Sequence, residues 1–211
     1  MNITIIGASS GVGMEAVKRA LTRNHCVTTL SRSKINLHET QNLKTIQGSA
    51  TNKAHLRSSI ANADAVIVAL GTGKSIKPTT LYSDFARLLV ELQREGKLRI
   101  PFIILTGFGA GESGAYNSFW VKLLFRIFLK DVYDDKTRME EIIASSTMTW
   151  VMVRPGFLKD RPLTESYRVE TSLHKGINIG AIGRADVADY LVKQAEDPTG
   201  LWTYPALSSK K

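Results

Sequence analysis

The stretch Ile3-Thr4-Ile5-Ile6-Gly7-Ala8-Ser9-Ser10-Gly11-Val12-Gly13 decides how this chain is read. Its first four residues form a β-branched run with the length and character of one buried strand. From Val12 to Leu21 apolar residues recur at helical spacing, so strand gives way to helix through a glycine-rich turn. Gly7 permits the tight turn, Gly11 lets backbone approach a ligand, and Gly13 lets the helix lie close on the sheet. The helix N-terminus, with its unpaired N–H groups and partial positive charge, faces whatever the turn holds. A strand–turn–helix of this spacing cradles pyrophosphate, which predicts Gly7, Ser9, Ser10, Gly11 and Val12 along a dinucleotide site.

Working outward, short β-branched runs alternate with longer amphipathic stretches to the end of the chain. Strands are predicted over residues 26–30, 43–47, 64–70, 101–106 and 149–153, with a short terminal strand over 202–204. Helices are predicted over 53–61, 81–95, 131–144 and 184–196. Continuous apolar runs such as Ala65-Val66-Ile67-Val68-Ala69-Leu70 are what parallel strands covered on both faces look like. The expected fold is α/β: a Rossmann-like doubly wound parallel sheet with helices on both faces, joined by right-handed crossovers. No repeat, low-complexity segment or Pro/Gly-rich linker interrupts it, so residues 1–211 are expected to form a single NAD(P)-binding domain.

Composition removes other classes. The single cysteine, Cys26, excludes an internal disulfide framework, and it falls in a predicted buried strand, where it reads as a structural thiol. His25, His38, His55 and His174 are scattered without metal-ligand spacing, so no metal is expected. No apolar run approaches the ~18 residues of a membrane span. The first strand-like run begins at Asn2, which leaves no room for a signal peptide and predicts a cytoplasmic protein.

The net charge of +9 is uneven: residues 1–60 hold eight basic residues against two acidic. They are dispersed (Lys18, Arg19, Arg23, Arg32, Lys34, Lys44, Lys53, Arg57), unlike the block expected of a nucleic-acid tail. That pattern suits a local anion site or the solvated faces of helices. The end of the second strand reads Leu30-Ser31-Arg32-Ser33-Lys34, with no acid where an NAD site places one on the ribose hydroxyls. Arg32 is placed to fork onto a 2′-phosphate, with Ser33 and Lys34 assisting, which predicts NADP(H) as cofactor.

The spacing Gly-x-x-x-Gly-x-Gly is that of the short-chain dehydrogenases, whose catalytic pair is Tyr-x-x-x-Lys. None of Tyr82, Tyr116, Tyr133, Tyr167, Tyr190 and Tyr204 has a lysine four residues on, and Tyr133 and Lys136 stand three apart. Other stretches resemble an atypical branch of that family, the biliverdin reductase B (flavin reductase)-like and NmrA-like proteins. They are Asp64 to Thr72, Pro78-Thr79-Thr80, Asp134 to Glu140 and Val153-Arg154-Pro155-Gly156, followed by Asp160 to Thr164, Asp186-Val187-Ala188 and Thr203-Tyr204-Pro205. With the glycine turn they span nearly the whole chain in the family's order.

The resemblance implies that Ala69, Leu70 and Gly71 line the adenine–ribose side and that Thr106 lies under the nicotinamide ribose. Lys136 falls where the family has a His or Lys reaching that ribose, and Pro155, Gly156 and Phe157 hold the nicotinamide edge. Three positions depart from the family. Gly107 stands for a serine near the substrate, Phe157 for a histidine beside the nicotinamide, and Ser49 for an acid that contacts adenine.

Reducing a flavin or quinone needs no dedicated protein acid, whereas reducing an unactivated ketone does. The missing Tyr-x-x-x-Lys pair therefore points to a small planar electron acceptor: a flavin, a biliverdin-like tetrapyrrole or a quinone. Lys136 is the one catalytic candidate; its other readings are a cofactor holder, or the i,i+4 partner of Glu140 on an exposed helix face. Residues 119–130 are apolar with bases at Lys122, Arg126 and Lys130 along one side of a helix. A wall or lid of the acceptor pocket, a dimer surface and a membrane-surface helix compete for that stretch, with Tyr116, Phe119 and Trp120 as candidates to stack on the acceptor. The expected protein is an NADPH-dependent reductase, monomeric or homodimeric, without a nucleic-acid partner. Its alternatives are an NmrA-like sensor that binds NADP(H) without turnover and an assembly scaffold on the same fold.

Overall fold

The computed structural model describes residues 1–37, 40–73, 75, 77–96, 98–116 and 129–210. Its sheet begins with β1 (Asn2–Ile6), β2 (Cys26–Ser31), β3 (Leu43–Gln47), β4 (Ala65–Val68), β5 (Pro101–Leu105) and β6 (Thr149–Pro155). Three short strands follow, β7 (Phe157–Lys159), β8 (Tyr167–Glu170) and β9 (Ala181–Gly183), and then β10 (Ala206–Ser209). The helices are α1 (Gly11–Thr22), α2 (Lys53–Ile60), α3 (Leu81–Gly96), α4 (Lys130–Ala144) and α5 (Arg184–Glu196). The main sheet has the order β3-β2-β1-β4-β5-β6-β10-β8, parallel throughout except for β8, which runs antiparallel beside β10. β7 and β9 pair separately.

Alternation along each strand sorts its side chains between two cores. Ile3, Ile5, Ala65, Ile67, Ile103, Val151 and Val153 face Val12, Ala16, Val17 and Ala20 of α1 and Val187, Leu191 and Val192 of α5. Ile6, Val66, Val68, Phe102, Ile104 and Met152 face the other way, onto α2, Phe85 and Leu89 of α3 and Met139 and Ile143 of α4. Both faces are covered, which is why the central strands read as unbroken apolar runs. Fully burying each such side chain contributes ~1.5–3 kcal/mol, so the sheet centre is the stable frame that carries the loops.

The order reverses between β1 and β4. Their register is Ile3↔Ala65 through Ile6↔Val68, so both strands end level and their following loops open a crevice there. In an open α/β sheet that is where a ligand binds.

Two sequence expectations need correction. The terminal strand is Ala206–Ser209, not residues 202–204. Trp202 sits in the left-handed region at φ 57°, which breaks extended geometry; the chain still bonds to β6 through Trp202 N–H to Trp150 O, but the strand forms only after Pro205. Cys26 is exposed, not buried. It opens β2 ahead of the strand's buried residues, and its sulfur lies 3.8 Å from Asn42 Oδ1 at the sheet's rim.

Candidate functional site

The turn after β1 is built by close approach. Gly7 has φ 86°, and a Cβ there would lie 2.4 Å from Ala69 O; its N–H bonds to Leu30 O at 2.8 Å. A Cβ on Gly13 would lie 2.2 Å from Gly7 O, so the start of α1 rests against the turn itself. Ser10 caps α1 with extended backbone but makes no side-chain cap bond, and the first turn holds no acid. The helix therefore presents its N–H donors and partial positive charge to the crevice.

That crevice is a cleft of about 790 Å³ along the C-terminal ends of the strands. All fifteen residues expected around a cofactor border it: Gly7, Ser9, Ser10, Gly11, Val12, Arg32, Ser33, Ala69, Leu70, Gly71, Thr106, Lys136, Pro155, Gly156 and Phe157. At its β2 end, Ser31 Oγ donates to Ser33 O at 2.7 Å and holds that loop, while Arg32 and Lys34 are exposed. Among the described residues neither Arg32 nor Lys34 meets a carboxylate. Most of the other early bases are paired across the fold: Arg19 with Asp189 of α5 and with Glu165 ahead of β8, Arg23 with Glu196, Lys53 with Glu91 and Glu95, and Arg57 with Glu95. The dispersed charge of the sequence thus includes four bases tied to carboxylates across the fold and one, Arg32, that borders the cleft and meets no carboxylate among the described residues.

At the middle of the cleft, Thr106 follows β5 and is fixed by its N–H to Val153 O at 2.8 Å. Lys136 on α4 donates to Thr106 O at 2.7 Å, and its ammonium lies 5.4 Å and 5.2 Å from the ring centres of Tyr82 and Tyr133. Desolvation lowers its pKa to about 8, against a raising effect of Glu140. The reading of Lys136 as an exposed-face partner of Glu140 is overturned, because Glu140 is buried on Arg154 at 2.7 Å. Tyr133 and Lys136, three residues apart, share the cleft wall, as i,i+3 neighbours on a helix can. Burial pushes the Tyr133 phenol up to about 12, the opposite of what an activated proton donor needs. Gly107 makes the space for that phenol: a Cβ there would lie 2.8 Å from Tyr133 Oη.

The far end is set by the bend between β6 and β7. Gly156 N–H bonds to Leu207 O at 3.0 Å and Phe157 N–H to Gly180 O at 3.2 Å. Phe157 is 44% exposed. Beneath this end the Arg154 guanidinium, 1% exposed, binds Glu140 and Glu112 and stacks 4.1 Å from the Tyr204 ring centre. It ties the short helical turn Gly111–Tyr116 to α4. Tyr116 ends that turn, exposed, and does not border the cleft. Phe119, Trp120 and the apolar-basic stretch up to residue 128 lie outside the described residues; Lys130 begins α4 and pairs with Asp134 at 2.6 Å.

Sequence reasoning missed Tyr82, Asp160 and Arg184 on the cleft wall. Arg184 and Asp160 meet at 2.7 Å across 24 residues, and no local pattern announces that pairing. It also missed Asp135, whose carboxylate accepts the Tyr82 and Ser83 N–H groups at 2.9 and 3.3 Å and so caps α3 from a neighbouring helix.

Sheet order, glycine turn and cleft together define a dinucleotide-binding protein of the Rossmann class. The chain belongs to the NAD(P)H-binding family, whose pattern matches residues 7–198. Its fold is similar to that of ChuY, an anaerobillin reductase from Escherichia coli, at TM-score 0.79 and 18% identity over 100% of this chain and 98% of that one. It is similar to a short-chain dehydrogenase/reductase from Veillonella parvula in complex with NADP, at TM-score 0.82 and 16% identity over 99% and 94% of the two chains. A Streptococcus pneumoniae protein provisionally named an NADH-flavin reductase matches at TM-score 0.77 and 22% identity over 100% of both. No helix among the described residues is long and apolar enough to cross a membrane.

Proposed function

We propose that the protein transfers hydride from NADPH to a planar acceptor, a flavin, tetrapyrrole or quinone, seated over the C-terminal strand ends. The observation that carries this reading is the state of the titratable groups near Thr106. Tyr133 is held as a weak acid, and the Lys136 ammonium is anchored on the Thr106 carbonyl, so the cleft does not hold the Tyr-x-x-x-Lys donor arrangement that serves a ketone. An acceptor that takes its proton from solvent suits such a site, and positioning then does most of the work.

A bound nicotinamide supplies the hydride; the chain's residues orient the reactants and hold charge. The N-terminus of α1 binds the pyrophosphate, Arg32 the 2′-phosphate, and Ala69 to Gly71 the adenosine. Lys136, fixed by Thr106 O, holds the nicotinamide ribose, and Pro155, Gly156 and Phe157 close the ring's edge. The preference for NADPH rests on Arg32: a charge-assisted hydrogen bond contributes roughly 1.5–3 kcal/mol, tenfold or more in affinity. Among the described residues the cleft's one carboxylate is Asp160, already paired with Arg184.

The names of the structural neighbours, anaerobillin reductase and NADH-flavin reductase, support planar acceptors as the class to test first. Purified protein is expected to oxidise NADPH steadily with FMN, dichlorophenol-indophenol or a simple quinone. Arg32→Ala is expected to lower the NADPH/NADH ratio of kcat/KM about tenfold. Tight NADP(H) binding with no turnover on any of these acceptors overturns the reductase reading in favour of a sensor.

A further inference from the structure

We infer that Arg184 is a pyrophosphate-binding residue, the second wall of a phosphate site whose first wall is the glycine turn. The inference rests on the cofactor reading above and extends it to a residue that lies more than 170 positions beyond that turn in the sequence. Arg184 is the first residue of α5, and its side chain is 29% exposed. It borders the main cleft and also a smaller groove of about 490 Å³. Gly11, Asp160 and Arg184 border both cavities, so the arginine and its carboxylate stand where the two meet, against the phosphate turn. A side chain on Gly11 would come within 3.8 Å of Arg184 Nε, with no nearer neighbour. That is ordinary van der Waals contact, so the guanidinium lies directly beside the backbone of the turn.

The guanidinium is suited to bind an anion at that place. Asp160 takes one nitrogen, Nη1, at 2.7 Å. Five N–H donors arranged in a fixed fork leave the Nε edge and Nη2 available for a second anion without breaking the first pair. Asp160 is 91% exposed, so it orients the arginine from outside rather than burying it. The other cations of the cleft have different stations: Arg32 follows β2, and Lys136 is bonded to Thr106 O. Among the cations of the main cleft, Arg184 is thus the one beside the turn where two phosphate charges would collect. It also neutralises Asp160, which would otherwise set a bare carboxylate against them.

These two roles, binding the pyrophosphate and silencing Asp160, separate by experiment. Dissociation constants for NADPH, NADH and adenosine 2′-phosphate, which lacks a pyrophosphate, are measured by calorimetry on the wild type, Arg184→Ala and Arg184→Ala/Asp160→Asn. The side chain is surface-facing, and α5 keeps its core contacts through Val187 and Leu191, so circular-dichroism melts close to wild type are expected for both variants. Arg184→Ala is expected to weaken NADPH and NADH by the same factor, about tenfold or more, and to leave adenosine 2′-phosphate unchanged. The double variant is expected to recover part of that loss and remain clearly weaker than wild type. Full recovery in the double variant means the arginine only neutralises Asp160, and overturns the assignment. So does unchanged dinucleotide affinity in Arg184→Ala, or a loss confined to NADPH and adenosine 2′-phosphate, which would move the arginine to the 2′ position. Wild-type protein that binds neither dinucleotide refutes the cofactor reading itself, a result distinct from all of these.

Discussion

Lys136 offers the sharpest test, because its burial has a cost that pH can switch. Its ammonium is partly buried between two tyrosine rings and has a pKa lowered to about 8 from an ordinary 10.5. At about 1.4 kcal/mol per pH unit, the charged form costs the folded state about 3 kcal/mol relative to the neutral amine. The contacts with the Tyr82 and Tyr133 rings act against that cost, so the figure is an upper bound. Between the two values the unfolded chain holds a proton that the folded chain has released. Stability therefore rises with pH across the window from about 8 to about 10.5. Lys136→Met removes this dependence and the bond to Thr106 O together, while keeping a long apolar stem. The variant is expected to be at least as stable as wild type near pH 7. Going from about pH 7 to about pH 9.5, wild type should gain about 2 kcal/mol on the variant, the part of the window crossed. Urea unfolding of both proteins at both pH values, without cofactor and with matched slopes, measures the change directly. Every other titrating group is common to the two proteins and cancels in the comparison. A gap between them that does not move with pH would refute the reasoning, by showing that the lysine keeps its ordinary pKa in the folded protein.

Other consequences follow from single contacts. Gly13→Ala drives a Cβ to 2.2 Å from Gly7 O and must lift α1 from the turn; a loss of about 3 kcal/mol in denaturant unfolding and a steep fall in dinucleotide affinity are expected. Asp135→Ala removes the shared cap of α3 and should cost about 1–2 kcal/mol in thermal unfolding, with Asp135→Asn retaining part of it. Arg154→Met strands the buried Glu140 carboxylate and is expected to cost about 3–5 kcal/mol; adding Glu140→Leu should recover most of that, since the paired apolar replacement leaves no uncompensated charge.

The legible part of this protein is the part written in local pattern. β1, the glycine turn and α1 could be read directly because strand, turn and helix each impose their own steric demand within a few residues. The central strands were equally plain, since a sheet covered on both faces leaves unbroken apolar runs. The terminal strand was misplaced because a left-handed residue, Trp202, follows from the path of the turn and not from its own preference. Cys26 was taken as buried because strand membership was equated with burial, whereas the strand's first residue stands at the rim.

What sequence alone determined is therefore the frame: the α/β class, the glycine turn, the missing acid after β2 and the set of residues that gather on one cleft. Tertiary structure alone decided how their charges are disposed. Asp135 caps α3 from 53 residues away, Asp160 orients Arg184 across 24, and Arg154 binds Glu112 across 42. The same packing left Arg32 free of carboxylates among the described residues while binding Arg19, Arg23, Lys53 and Arg57 to neighbouring helices. The physical reason is range. Backbone sterics and hydrophobic period act over a few residues, but an ion pair or a desolvated lysine exists only once distant segments have been brought together by the fold.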